Sequence, residues 1–495
     1  MKKNNELMMI VGLGESGLSV ALWYLYKGIS IVIVDSHYPQ KSVNKLESSS
    51  FFAKSSVSYH LGCGDDFNSD WLCGVSQVIL SPGIYPNSNL AKNLLFSAKK
   101  KNIEIINDIE LFSRILDDLY KDINYCPRII AITGTNGKTT VTSLCHYILH
   151  NIGVSVCKAG NIGPPVITVL MDLLKANKLP DVWVVELSSF QLFNVKSLKI
   201  EVSVVLNLDF DHIDWHGDIE SYWDSKISII NFTKTSLINR NDPKIVEKSK
   251  RLKDDIYSFG IDKPSKSGCF GMVLYGGNKW LVLYKLETDN LNLINDADSY
   301  FYDNSLVYLL KADLLKIKGD HNYANVLAAL QLISFITPIT EKIIDVLCHY
   351  RGEHHRIEFI SEVNGVKYID DSKATNISAT IAALRSCCNK KAILIAGGLG
   401  KGQDFSQLRD AIVEYTKSII LLGSSKFDIF EIIKDTNIPC FFVDSMEEAV
   451  LKSFQIATPG DIVLLSPACS SLDMFKDYDH RGKIFAKEVM LLNKI

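Results

Sequence analysis

Ile129-Ile130-Ala131-Ile132-Thr133-Gly134-Thr135-Asn136-Gly137-Lys138-Thr139-Thr140 decides the reading of this chain. An apolar, β-branched run enters a turn with two glycines, and a helical segment follows from Lys138 to His150. That order is a buried strand, a loop and a helix. N–H groups at a helix start have no intrahelical partner and carry the positive end of the dipole, so they cradle phosphate oxygens. Lys138 adds a point charge for the β/γ-phosphates, and Thr139 a hydroxyl for Mg²⁺. The general pattern has a glycine where this chain has Ile132; the first loop glycine is Gly134. The plain alternative is an ordinary strand–turn–helix with a surface lysine.

Working outward, 495 residues are too many for one core, and domains of about 100–200 residues predict three. We place them at 1–107, 108–351 and 352–495. In the first, Met8–Val11, Ser16–Lys27, Ile31–Val34, Val78–Leu80 and Ile103–Ile106 read as strand, helix, strand, strand and strand. In the second, Arg128–Thr133, Val182–Val185 and Val202–Leu206 are buried parallel strands, and the stretch from Ser236 to about Lys318 is less regular. Gly276-Gly277-Asn278 there predicts a hairpin. In the third, strands fall at Val366–Ile369, Ala392–Ala396, Ser418–Leu422, Cys440–Val443 and Ile462–Leu465, with a capping box of Ser445 and Glu448 opening one helix. The expected class is α/β, with Rossmann-like first and third domains around a phosphate-loop ATPase-type centre.

Apolar residues at 47%, charged residues at 22% and a net charge of −3 describe a globular enzyme without a basic field for nucleic acid. Eleven cysteines without a CxxC pair fit reduced thiols in a cytosol better than a disulfide framework. Lys2 and Lys3 before Leu7–Val11 mimic a signal peptide, but Gly12 and Gly14 follow at once, so we read a first strand entering a turn. No apolar stretch of about 18 residues predicts a membrane span.

Three motifs succeed the phosphate loop: Glu186-Leu187-Ser188-Ser189-Phe190-Gln191, Asp211-His212-Ile213-Asp214-Trp215-His216 and Tyr222-Trp223-Asp224-Ser225-Lys226. Glu186 and His212 fall just beyond strands, where parallel sheets bind ligands. A carboxylate and an imidazole beside a phosphate loop suit Mg²⁺; taken alone, Asp-His-x-Asp-x-His also fits zinc. In the first domain, Gly12-Leu13-Gly14-Glu15-Ser16-Gly17 with Asp35 ending the next strand fits any pyrophosphate, a dinucleotide included.

The phosphate loop and its three followers resemble the Mur ligases, which build the peptide of bacterial cell-wall precursors. The resemblance runs through almost the whole chain and implies an ATP-dependent ligase that activates a carboxylate as an acyl phosphate. It implies ATP contacts at Gly134, Thr135, Asn136, Gly137, Lys138, Thr139 and Thr140, then at Asn322 and Asn325 ahead of an apolar helix Val326–Phe335, and at Arg356 and Asp371. Two Mg²⁺ ions are implied at Thr139, Glu186, His212 and Lys226, with Lys226 carbamylated by CO₂; a surface helical lysine is the bland alternative. The catalytic residues implied are Lys138, His212 and Lys226.

Ser466–Phe475 and Gly397–Phe405 resemble the members of that family that add D-glutamate to UDP-N-acetylmuramoyl-L-alanine (UDP-MurNAc-L-alanine). That likeness implies a D-glutamate seat of Lys373, Thr375, Lys401, Ser471, Leu472 and Tyr478. It implies a UDP-substrate seat of Gly14, Glu15, Ser16, Asp35 and Ser36, with Asn161 at the sugar end. The partners implied are these small molecules alone, with no nucleic acid, no membrane insertion and a monomeric chain. Another amino acid, or a folylpolyglutamate product, is the nearest alternative.

Overall fold

The computed structural model describes residues 6–250, 256–285, 301–303, 305–387, 392–400 and 403–492. Each domain is built on its own sheet. The first comprises β1 (Leu7–Val11), β2 (Ser30–Asp35), β3 (Val57–Leu61), β4 (Val75–Leu80) and β5 (Glu104–Ile106), all parallel, in the order β3-β2-β1-β4-β5. The order reverses beside β1, so the β1–helix turn at Gly12–Ser16 faces a crevice beyond the strand ends. A Cβ on Gly17 would stand 1.9 Å from the Gly12 carbonyl oxygen. That oxygen also accepts the Ser81 hydroxyl at 2.6 Å, which ties the ends of β1 and β4 together. β3 was not expected: its Val57-Ser58-Tyr59-His60-Leu61 is half-exposed and mixed, and edge strands need no apolar run.

The second sheet comprises β6 (Arg128–Thr133), β7 (Val156–Gly160), β8 (Val182–Glu186), β9 (Ile200–Val205), β10 (Thr233–Asn239), β11 (Ile256–Phe259), β12 (Phe270–Tyr275), β13 (Asn278–Tyr284), β14 (Phe301–Asp303) and β15 (Leu306–Lys311). Its order is β14-β15-β13-β12-β11-β10-β9-β6-β8-β7. The predicted hairpin is there, β12 and β13 pairing antiparallel around Gly276 and Gly277. The stretch from Ser236 is more regular than expected, because β10 and β11 continue the parallel ladder outward from β9.

The third sheet comprises β16 (Glu358–Val363), β17 (Val366–Asp370), β18 (Ala392–Gly397), β19 (Thr416–Leu422), β20 (Cys440–Phe442) and β21 (Ile462–Leu465), in the order β16-β17-β21-β18-β19-β20. Only the edge strand β16 runs antiparallel. The capping box expected at Ser445 is half formed. Its hydroxyl accepts the Glu448 N–H, but the Glu448 carboxylate turns to the Asp444 N–H instead. Among the described residues no helix is long and apolar enough to cross a membrane.

The three domains are joined unequally. One apolar core runs from Ile10, Leu25 and Ile33 of the first domain into Ile129, Trp183 and Ile229 of the second. The helices Glu15–Tyr26, Asp108–Ile123 and Val166–Ala176 fill the seam. Polar locks reinforce it: the Asn107 amide donates to the Gln191 and Phe193 carbonyls, and the Glu104 carboxylate accepts the Arg114 guanidinium and the Lys196 amine. The third domain instead closes its own two cores, one on each sheet face.

Gly17→Ala should therefore cost about 1–3 kcal/mol, as overpacking against backbone does. Gly14→Ala, where a Cβ meets nothing within 4 Å, should leave stability unchanged. Thermal melting of the two variants checks the contrast.

Candidate active site

The strand β6 delivers its chain into the turn Gly134–Gly137, and the helix Lys138–Ile152 starts there. Gly134 takes φ +147°, with Leu206 so close that a Cβ would stand 2.9 Å from its Cβ. Lys138 folds back and donates from Nζ to the Gly134 and Thr135 carbonyls, each at 2.8 Å. Lys226, on the helix Ile219–Ile227, donates to the same Gly134 oxygen at 2.8 Å. Two lysine amines thus converge on one carbonyl. Lys226 is only 2% exposed, so it is not a surface lysine. Burial, then the neighbouring Lys138, push its pKa well below that of an ordinary lysine. Burial also depresses Lys138, with Glu186 and Asp211 opposing.

Glu186 ends β8 and is 1% exposed. Its Oε1 accepts the Asn161 amide at 2.7 Å. Its Oε2 is buried without a hydrogen-bond partner among the described residues. A buried carboxylate oxygen so placed needs a cation or a proton. Thr139, nearly buried, accepts Lys373 Nζ at 2.9 Å. His212 takes φ +50° at the start of a short helix, its ring against Phe190 and near Tyr222. The neighbouring Ser188 forms a full capping box with Gln191, which fixes the loop after Glu186.

A cavity of about 220 Å³ opens on the other side of the loop. Asn136, Gly137, Thr140, Asn322, Asn325, Arg356 and Asp371 all line it. Asn322 and Asn325 do not precede their helix; it begins at Asp320, with Gly319 as cap, so both sit in its first turns. The Asn322 amide donates to the Lys318 carbonyl, and a Cβ on Gly137 would stand 2.5 Å from Asn325 Oδ1. Arg356 hangs between His355 at φ +63° and Ile357 at φ +48°, the latter a costly conformation for a β-branched residue. Asp371 accepts the Ser466 hydroxyl at 2.7 Å, and burial lifts its pKa to about 7.

The second domain's loop and the third domain's residues meet. Lys373 Nζ lies 5.0 Å from the Tyr478 ring centroid, and burial with Arg356 lowers its pKa to about 7. Ser471 is buried, Thr375 half-buried and Leu472 exposed; Leu399 and Ser470 bridge their two loops. Lys401 lies outside the described residues.

In the first domain Gly14 and Glu15 are exposed and Ser16 half-exposed at the head of their helix. Asp35 has both oxygens engaged, by the Leu13 and His37 N–H groups at 2.7 and 2.9 Å, so it shapes this crevice. The Ser36 hydroxyl pairs with His37 Nδ1. Asn161 stands apart from that group, at the end of β7 and bound to Glu186.

Models of three consecutive family domains match the chain: the Mur ligase MurD-like N-terminal domain over 6–107, the Mur ligase middle domain over 132–333, and the Mur ligase glutamate ligase domain over 355–469. A UDP-N-acetylmuramoylalanine--D-glutamate ligase of Bordetella pertussis is 40% identical over 98% of this chain and 96% of its own. Another of the same name, from Cupriavidus pinatubonensis, is 37% identical over 97% and 96%. This chain belongs to the Mur ligase family. A solved MurF ligase from Thermotoga maritima in complex with ADP shares the fold, with TM-score 0.60 and 16% identity over 99% of this chain and 100% of that one.

Several residues of this Mur ligase site carried no signal in motif reading. Asn207, just beyond β9, holds Asn136 by two bonds, accepting its N–H at 2.7 Å and donating to its carbonyl at 3.0 Å. The strand-end rule that pointed to Glu186 points to it as well. Tyr222 opens the third motif but had no role assigned there; buried, it donates to the Thr135 hydroxyl. Arg481, 1% exposed, joins the Ser372 and Cys469 carbonyls and so ties the Asp371 loop to the Ser471 loop.

The Asp370 and Asp479 carboxylates accept from the His355 ring at 2.6 and 3.2 Å, and the Asp370 bond raises the His355 pKa above that of a free imidazole. The sign is fixed: folding takes up a proton, so the stabilisation is complete below about pH 6.5 and is lost as pH rises through the raised folded value. Denaturant unfolding from pH 6 upward should show that loss in the native chain and a flatter profile in His355→Gln.

Proposed function

We propose that this chain joins the amine of D-glutamate to the carboxylate of UDP-MurNAc-L-alanine, with ATP cleaved to ADP and phosphate, in peptidoglycan precursor synthesis. The observation that carries the reading is the meeting of Lys138 and Lys226 on the Gly134 carbonyl, beside relatives of that name matched along almost the full length. ATP takes the cavity between the phosphate loop and Arg356, with Asn322 and Asn325 toward the base and Asp371 toward the ribose. Mg²⁺ fits the oxygen donors present, the orphaned Glu186 Oε2 and the Thr139 hydroxyl, and the His212 imidazole would add a borderline nitrogen ligand. When bound, it supplies positive charge to the transferring phosphoryl group.

Lys226 reacts with CO₂ as the neutral amine, giving a carbamate and releasing a proton. Its suppressed pKa favours that neutral form, and the carbamate would be an anion able to hold a second Mg²⁺. Lys138 neutralises the γ-phosphoryl group as it passes to the carboxylate of the UDP substrate. The product is an acyl phosphate, whose leaving group is phosphate rather than oxide. The D-glutamate ammonium gives up a proton, the free amine adds to the acyl carbon to form the C–N bond, and the tetrahedral intermediate expels phosphate as the C–O bond breaks and a second amine proton is released; Lys373 stands at that junction with Thr139 and Tyr478.

D-Glutamate is held by Lys373, Thr375, Lys401, Ser471, Leu472 and Tyr478. The UDP moiety lies on Gly14, Glu15, Ser16, Asp35 and Ser36, and the sugar end reaches Asn161. The domains divide at 1–107, 108–351 and 352–495, and the protein works as a cytoplasmic monomer.

The test is amide formation from UDP-MurNAc-L-alanine and ATP with D-glutamate, L-glutamate or L-alanine as acceptor. D-Glutamate alone should support phosphate release dependent on both substrates; preference for another amino acid rejects the substrate assignment. Lys226→Ala should cut turnover at least about a hundredfold, the scale of losing a transition-state charge partner. High bicarbonate should not restore it; a fully active variant would refute the carbamate.

A further inference from the structure

Glu186, His212 and Lys226 come from three separate segments of the second domain. The first two segments run into single helical turns, Ser189–Leu192 and Ile213–His216. A turn that short is placed by its contacts rather than by its own propensity. The contact common to all three segments is Ser189, which is 1% exposed. Its hydroxyl pairs with His216 Nε2 at 2.9 Å, and its carbonyl accepts the Ser225 hydroxyl at 2.6 Å. Ser189 stands in the turn after Glu186, His216 ends the turn that His212 begins, and Ser225 is the neighbour of Lys226.

A second route runs from His216 to Lys226. The His216 ring lies 5.2 Å from that of Tyr222, and Lys226 Nζ stands 4.7 Å from the Tyr222 ring centroid. Phe190 and Trp215 pack against the same imidazole, with centroids at 5.7 and 4.5 Å. His216 is half-buried and lines a cleft of about 480 Å³ shared with Pro86 and Asn87 of the first domain, so its replacement leaves the apolar core intact. We infer that His216 is a positioning residue: through Ser189 it fixes the Glu186 turn against the helix that carries Lys226. The inference rests on the reading of Glu186, His212 and Lys226 as a Mg²⁺ seat, to which neither His216 nor Ser189 belongs. Loss of a group that orients a ligating side chain costs about 10- to 100-fold in metal affinity.

Mn²⁺ binding to the full-length chain, followed by electron paramagnetic resonance, tests it, because Mn²⁺ suits the same oxygen-rich donor sets as Mg²⁺. Ser189→Ala removes the hydroxyl and leaves the aromatic neighbours whole. His216→Phe keeps a ring and removes the bond. Each should weaken Mn²⁺ binding about 10- to 100-fold. His216→Gln, which keeps a hydrogen-bonding end, should stay close to the native chain. Native-like binding by Ser189→Ala or His216→Phe, or a His216→Gln variant as weak as His216→Phe, overturns the inference and leaves the metal seat standing. A native chain that fails to bind Mn²⁺ removes the seat, and the inference with it, before any variant is compared.

Discussion

One carbonyl oxygen organises this site. Gly134 accepts hydrogen bonds from both Lys138 and Lys226, each deep in the second domain. Two ammonium groups brought so close and so far from water would repel and lose hydration together. The arrangement has only two stable resolutions, loss of a proton or arrival of negative charge. The protein makes use of both: Glu186 supplies a fixed anion, and the pKa of each lysine falls. The remaining deficit is what an anionic nucleotide fills. The loop is therefore built for a guest, and its glycines are those that let Leu206 and Asn325 approach closely enough to hold it rigid.

The parts of this site that could be read in advance were those in which local chemistry and fold agree. The strand β6, its loop and the following helix were legible because an apolar run, glycines and a helix start coincide at Arg128–Ile152. Glu186 and His212 were legible because strand ends in a parallel sheet collect ligands. Asn207 obeys the same rule, but an amide has no titration or metal signature to draw attention. β10 and β11 were hidden in an irregular stretch, because Thr233–Asn239 carries polar residues at a place where the ladder rather than the side chains decides. Pairings that join distant parts of the chain, such as Asn161 to Glu186 or Ser378 to Asn136, leave no trace in local periodicity.

The unequal joining of the domains follows from what each must do. A carboxylate donor with a long nucleotide handle needs its handle and its reacting end at a constant separation. The first and second domains are held at one separation by their shared core and by the Asn107 and Glu104 contacts across the seam. Sliding either domain would expose that apolar surface, at about 25 cal/mol per Å².

The amine donor has the opposite requirement, since it must enter a site that then excludes water from an acyl phosphate. A polar contact suits that duty. Hydrogen bonds between side chains exchange with water at small net cost, so the surface can open without an apolar penalty. The strain at Ile357 belongs to the same design. A β-branched residue held at φ +48° keeps Arg356 turned back toward the cavity, and the Asp370–His355–Asp479 bridge holds the preceding residue so that this conformation persists. The linker thus carries its arginine with the third domain, so a movement of that domain moves Arg356 relative to the cavity it lines.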